Sequence, residues 1–262
     1  MTAPALSTPT PFGRYYIHPG RSYQVPSITN IKDKRNIPAL KYWAARMAAQ
    51  YAADNLSKLS ALDRDEAVEL IRKAPFTHKA DDPSAIGDTV HDWIDRFIKG
   101  EEIAAEEIGE APPSAAQMWL RFNDVVDQYK PKWVESEFTV WSDRYGYAGT
   151  ADWCAYIGDT LVLGDTKTGK GVYDDVALQL AALANADFIL EVNGNERPMP
   201  TFQRYAVLHV RPRAAKLIPV ENIPAAFKAF LGLKDLFDFE RECEGKILMF
   251  APKISRSAVK VA

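Results

Sequence analysis

Apolar residues recur at helical spacing through the first half of the chain and alternate or run together through much of the second. From Pro38, which can open a helix at its first turn, Leu40, Trp43, Ala44, Met47, Ala48 and Tyr51 fall three or four apart and predict a helix. Asp63 precedes a shorter helical pattern, Arg64 to Lys73. Ile86, Val90, Trp93, Ile94 and Phe97 make one stripe on a helix predicted from Pro83 to about Lys99, with Gly100 as its stop. The run from Glu101 to Glu107 reads as a solvated acidic helix or loop. A further helix, Ser114 to Tyr129, ends ahead of Pro131. Residues 1–13 carry Pro4, Pro9 and Pro11 among Ser, Thr and Ala and read as a flexible tail. Ser22 to Asn30 reads as irregular or briefly extended.

Beyond Pro131 the pattern changes. Trp133–Trp141, Tyr147–Ile157 and Thr160–Thr166 read as strands. A mostly apolar helix follows from about Asp174 to Ile189, carrying Val176, Leu178, Leu180, Leu183 and Ala184. Strands are then predicted at Phe202–Val210 and Ala215–Val220. Asn222 can cap a last helix with Phe227, Phe230, Leu231, Leu236 and Phe237 on its core side. This order predicts an α/β core over 132–262 with a helical N-terminal part over 14–131, the two forming one continuous domain. No internal repeat is present.

Composition narrows the classes. The 262 residues are 47% hydrophobic and 26% charged, which excludes whole-chain disorder, collagen or coiled coil. A formal charge of −3 means that a phosphate-rich partner needs a local basic groove. Two cysteines, Cys154 and Cys243, exclude a disulfide framework and a four-cysteine zinc or iron–sulfur site within one chain. No run reaches the ~18 apolar residues of a membrane span. The N-terminus lacks the basic start and apolar run of a secretory signal. A soluble, cytoplasmic protein is expected.

The segment Tyr147 to Lys167 carries the chemistry. Gly158-Asp159 between two apolar runs signals a two-residue hairpin turn. Ile157 then faces Thr160, and counting back along both strands sets Asp152 opposite Asp165, on one face with Cβ atoms ~5 Å apart. Two like charges so placed repel, unless one stays protonated or a cation sits between them. Hard divalent ions prefer such carboxylate oxygens. Lys167 lies two residues beyond Asp165, on the same strand face. Paired carboxylates with a lysine are parts for metal-assisted hydrolysis of a phosphodiester. The plainer alternative is a solvated face whose lysine partners an aspartate.

Gly149-Thr150-Ala151-Asp152, Asp165-Thr166-Lys167, Gln179 in the following helix and His91 in an upstream helix, in this order, resemble the RecB-type branch of the PD-(D/E)XK nucleases. The matched span runs from about Gly87 to Leu183. The resemblance implies a restriction-endonuclease-like core, a central mixed sheet flanked by helices. It implies His91, Asp152, Asp165 and the Thr166 carbonyl as ligands of Mg2+ or Mn2+, Lys167 as the catalytic lysine, and Gln179 steadying the site or the DNA end. Glu137, on the preceding strand, is a secondary candidate near the metal. The activity implied is that of a DNA exonuclease in recombination, repair or phage DNA processing, leaving a 5′-phosphate and a 3′-hydroxyl. The setting implied is a bacterial or phage-infected cell, with DNA and a single-strand annealing or recombination protein as partners. Two departures stand out: Leu183 occupies the place of the branch's tyrosine, and the iron–sulfur cysteines of CRISPR-associated relatives are missing.

Other features compete with these. Lys170, Arg204, Arg211, Arg213 and Lys216, and further on Lys253, Arg256 and Lys260, could contact phosphates. Tyr145, Tyr147, Trp153 and Tyr173 could stack on an unpaired base or simply pack. A catalytically weak DNA-binding protein on the same fold is the second reading. Gly164 to Lys170 matches G-x-x-x-x-G-K, a phosphate-loop pattern, but Gly171 stands where Ser or Thr would bind magnesium, and an ATPase ranks third. Glu244-Gly245-Lys246 spells E-x-K without a preceding hairpin strand and is set aside.

Overall fold

Two layers of helices enclose one mixed sheet in a computed structural model of the protein, which describes residues 4, 6–35, 38–74 and 83–243. The Glu244-Gly245-Lys246 triplet and the Lys253, Arg256 and Lys260 cluster lie outside the described residues. The chain opens with a three-stranded antiparallel sheet, β1 (Ser7–Thr10), β2 (Gly13–Ile17) and β3 (Gln24–Pro26). Strand β1 therefore replaces part of the expected tail, pairing Ser7 with Tyr16 through to Thr10 with Gly13. Pro9 is tolerated there because β1 is an edge strand, where a missing N–H leaves no ladder bond unmade. Helix α1 (Ile28–Lys32) follows, capped by the Ser27 hydroxyl, which accepts from the Asn30 N–H at 3.0 Å.

Helices α2 (Pro38–Asp54), α3 (Leu56–Leu59) and α4 (Arg64–Lys73) come next. Asp63 caps α4 by accepting from the N–H groups of Asp65 and Glu66. The apolar stripe expected on α2 meets little: Trp43 is 44% exposed, and across the described side chains of residues 41–74 Leu59 alone is buried. Helices α5 (Pro83–Ile98), α6 (Ala105–Glu110) and α7 (Pro113–Tyr129) complete the N-terminal part. Here the stripe does find a core, with Val90, Trp93 and Ile94 buried against Met118, Trp119 and Phe122.

The main sheet comprises β4 (Lys132–Ser142), β5 (Tyr147–Ile157), β6 (Thr160–Lys167) and, after α8 (Asp175–Ala184), β7 (Phe188–Leu190), β8 (Glu196–Pro198), β9 (Arg204–Arg211) and β10 (Ala214–Pro219); α9 (Ile223–Cys243) closes the described chain. Its seven strands run in the order β10-β9-β6-β5-β4-β7-β8. Strands β6 and β9 are parallel and the other neighbours antiparallel. Alternation on β6 divides two cores. Leu161 and Leu163 pack with α1, α8 and α9, and Val162 packs with α5 and α7.

Two expectations are corrected. The helix predicted to reach Ile189 stops at Ala184, where Asn185 donates its side-chain amide to the Ala181 carbonyl at 2.8 Å. Phe188–Leu190, a short apolar run open to either assignment, instead pairs with β4 as strand β7. On α9, Phe230 and Phe237 are buried as expected, but Leu236 faces solvent at 41% exposure.

Candidate active site

The register counted back from the turn holds from Ile157–Thr160 to Trp153–Gly164, and there the β5–β6 ladder ends. One step further, Asp152 does with its side chain what the backbone would have done. Its Oδ2 accepts the Thr166 N–H at 2.7 Å. Strand β5 changes phase at this point: Ala151 and Trp153, two apart, belong to opposite cores, whereas residues two apart on a regular strand share a face. The partner strand is distorted alongside. On β4, Ser136 pairs with Trp153 and Phe138 with Ala151, and the intervening Glu137 has φ +50°. A non-glycine residue adopts that left-handed backbone at a cost of about 1–2 kcal/mol. Such strain, where observed, concentrates at functional sites.

A cleft of about 360 Å³ opens here, lined by His91, Glu137, Asp152, Thr166, Lys167, Gln179 and Leu183 among others. Asp165 lies beside it, only 1% exposed, and Lys167 Nζ stands 2.5 Å from its Oδ2. The contact is an ion pair without directed hydrogen-bond geometry, since neither Asp165 oxygen has a hydrogen-bond partner. His91 Nδ1 is 3.8 Å from Asp152 Oδ2. Leu183, where the branch has tyrosine, is buried and packs at the cleft floor. A Cβ on Gly149 would meet Ile28 Cδ1 at 2.5 Å and Leu183 Cδ2 at 3.3 Å. The glycine of Gly149-x-x-Asp152 thus lets α1 and α8 close over β5.

Burial shapes the titration of the group. It raises the Asp165 carboxyl to about 6, helped by the nearby Asp152 and opposed by Lys167. Burial likewise raises Asp152, against the pull of Lys167 and of the Thr166 N–H. Glu137 is raised to about 8 by burial and by the charges of Asp152 and Asp95. Burial lowers His91 to about 4 despite the attraction of Asp165, so its imidazole is neutral at pH 7. Burial alone would lower Lys167, but Asp165 and Asp152 together outweigh it and hold the ammonium charged.

The donors fit a divalent cation in kind: the buried Asp165 and part-buried Asp152 carboxylates, a neutral imidazole and the Thr166 carbonyl, with Asp165 Oδ1 buried and unpartnered. Among the described residues, no group of three or more His, Cys, Asp or Glu side chains is placed to hold a metal ion. Lys167 sets a positive charge beside Asp165, and that charge also acts on Asp152.

Other predicted residues scatter. Trp153 and Tyr147 are core side chains; Trp153 donates its indole N–H to Thr166 Oγ1 at 3.2 Å. Tyr145 packs partly buried against Tyr147 and Phe227. Tyr173 is 69% exposed on the loop after β6, near exposed Lys170. Arg211 donates to the Thr168 carbonyl at 2.7 Å and so fastens that loop. Arg204 lines a separate hollow with Tyr129 and Ile157, and Arg213 is exposed just beyond β9. The G-x-x-x-x-G-K stretch is a strand end and loop; α8 begins only at Asp175, so no helix N-terminus meets the loop as a phosphate cradle requires.

The sequence reading missed the opposite wall. Arg14, Tyr16, Ser27 and Lys32 line the cleft from β2 and α1. Tyr16 shares a 2.8 Å hydrogen bond with Thr150 of the Gly149-x-x-Asp152 motif. Lys32 pairs with Asp175 at 2.9 Å and donates to Gln179 Oε1 at 3.4 Å. No local pattern marks these residues, which lie 134 and 147 positions from their partners. No known family and no curated protein matches the sequence. Among the described residues, no helix is long and apolar enough to cross a membrane.

Proposed function

We propose that the protein is a divalent-metal-dependent nuclease that hydrolyses phosphodiester bonds at DNA ends, on a restriction-endonuclease-like core. The observation that carries the proposal is buried Asp165, ion-paired with Lys167 but without a hydrogen bond, gathered with Asp152 and His91 at one cleft. A fold selected for stability alone avoids burying a carboxylate with no hydrogen bond to either oxygen. His91, Asp152, Asp165 and the Thr166 carbonyl would hold Mg2+ or Mn2+, which when bound lowers the pKa of water and stabilises charge on a phosphorane-like state. The neutral His91 keeps a lone pair for binding. Lys167 keeps its proton and can donate to a phosphate oxygen or orient the attacking water. Gln179, its carbonyl engaged by Lys32, retains its amide NH2 to donate to substrate.

The test incubates purified protein with end-labelled linear DNA and with closed circular DNA, in magnesium, in manganese and in chelator. Linear DNA is expected to be consumed only with metal, giving 5′-phosphate products, with circles spared. Undiminished degradation in excess chelator overturns the metal requirement, and rapid linearisation of circles overturns the preference for ends. Binding of DNA without cleavage under any metal condition would leave the second reading, a DNA-binding protein on this fold. That reading is favoured by the direct Lys167–Asp165 contact, which occupies a carboxylate otherwise open to a metal.

A further inference from the structure

A second, larger hollow of about 610 Å³ is lined by Phe12, Lys34, Phe237, Phe239, Glu240 and Arg241. Phe12 is 69% exposed and Phe239 54% exposed. Single exposed apolar side chains are common, but these two phenylalanines line the same hollow. Cations stand among the rings. The Arg241 guanidinium lies 5.9 Å from the Phe12 ring centre and 5.0 Å from that of Tyr15, and Lys34 Nζ lies 5.4 Å from that of Phe237. Glu240, the acid of the lining, is paired with Lys34.

The hollow adjoins the cleft through two short stretches of chain. Phe12 is two residues from Arg14, and Lys34 two from Lys32, and Arg14 and Lys32 line the cleft. Two residues of fully extended chain span at most about 7 Å. Helix α1 packs against both α8, which gives Gln179 and Leu183 to the cleft, and α9, which gives Phe237 and Phe239 to the hollow.

We infer that this hollow receives an unpaired base of the single strand leading to the cleft, its phosphates tracking Arg14 and Lys32 across α1 and its base stacking on Phe12 or Phe239. Exposed aromatic faces among cations are how proteins hold single strands without reading sequence, and only an unpaired base offers both its faces. The inference rests on the nucleic-acid substrate proposed above.

Fluorescence anisotropy tests it in chelator, where cleavage is silent. The probes are labelled dT12, a 12-mer of abasic sites and a 12-base-pair duplex; the proteins are the wild-type full chain and Phe12→Ala/Phe239→Ala. Loss of a stacked base weakens binding by about tenfold. The double variant is expected to bind dT12 more weakly by that factor, and the abasic strand to bind both proteins alike. Loss of less than about threefold, no binding of dT12 by the wild type, or an equal loss with duplex overturns the inference. A dT12 carrying 5-iodouracil provides a second readout: photocrosslinks mapped to Phe12 or Phe239 support the site, and crosslinks confined to Tyr173 overturn it. A cleavage assay in manganese on the same preparation separates the two claims. A protein that binds through these residues but never cleaves loses the nuclease function and keeps the site. One that cleaves while the variant binds normally keeps the function and loses the site.

Discussion

The β5–β6 hairpin has two unlike ends. At the turn, Ile157 faces Thr160 across Gly158 and Asp159, and the ladder runs unbroken to Trp153–Gly164. At the other end the strands part. Asp152 takes the Thr166 N–H with its side chain, Glu137 beside it adopts a left-handed backbone, and Asp165 is buried without a hydrogen bond. The turn end is built from interactions that favour the fold. The open end holds groups that each cost the fold something. The two ends should therefore respond differently to substitution, the open end in rate and the turn end in stability.

The largest effect is expected at the open end. Asp165→Ala and Lys167→Ala should each slow degradation of end-labelled DNA by about two orders of magnitude or more, the loss that follows removal of one electrostatic stabiliser. Asp165→Asn, which keeps the shape, should lose activity as well, with circular dichroism showing an intact fold. Wild-type turnover in these variants would make the open end a solvated face and erase the contrast.

Between the ends stands Gly164. A Cβ there would lie 1.9 Å from Trp153 Cζ2 and 2.1 Å from Cη2, so the buried ring must shift. Gly164→Ala should cost about 3 kcal/mol in a urea melt and lower activity too, because the displaced indole releases Thr166. A loss under about 0.5 kcal/mol would mean that Trp153 moves freely and does not hold the open end.

At the turn, Gly158 has φ +60° and a Cβ added to it would meet open space. Gly158→Ala therefore tests backbone strain alone. Stability should fall by about 1 kcal/mol, with turnover of folded protein unchanged. A fall in turnover at saturating DNA would show that the two ends are coupled through the ladder.

The same division explains what was legible in the sequence. The hairpin register could be counted as far as Trp153–Gly164 because it depends on neighbours, a turn pair and two apolar runs; the Asp152–Asp165 pair expected beyond it lies outside the ladder. Helix α5 was legible from its stripe and its stop, α4 from the Asp63 cap and α7 from its end ahead of Pro131. The stripe on α2 was equally visible, yet Trp43 lies largely open, because periodicity shows a face and not whether anything covers it. Glu137 carries no glycine or asparagine to announce its left-handed turn, and the phase change at Asp152 leaves no trace in composition. Lys32, Arg14 and Tyr16 reach the cleft through tertiary packing alone. His91 could be placed only by resemblance, since a single histidine on a helix signals nothing by itself.

The smallest effect is the most diagnostic of the open end. With no ion bound, ionised Asp152 is disfavoured by burial, and its charge in turn raises Asp165 and Glu137. An acid whose pKa is raised on folding loses stability as pH climbs through its unfolded value, about 4, and does not recover it above the folded one. Asp152→Asn removes that loss and keeps an oxygen for the Thr166 N–H. In chelator the variant should melt higher than wild type at pH 7, by a few degrees at most, and the difference should vanish toward pH 3, where Asp152 is protonated in both states. The attraction to Lys167 opposes the gain, which is why it stays small. Manganese should reverse the order, because a ligand that binds only the folded state stabilises the tighter binder more. A melting series of both proteins across pH, with and without manganese, reads both halves. A variant that melts lower in chelator, or that gains as much from manganese as wild type, would mean that Asp152 is an ordinary ladder substitute and that the open end is not built around a shared cation.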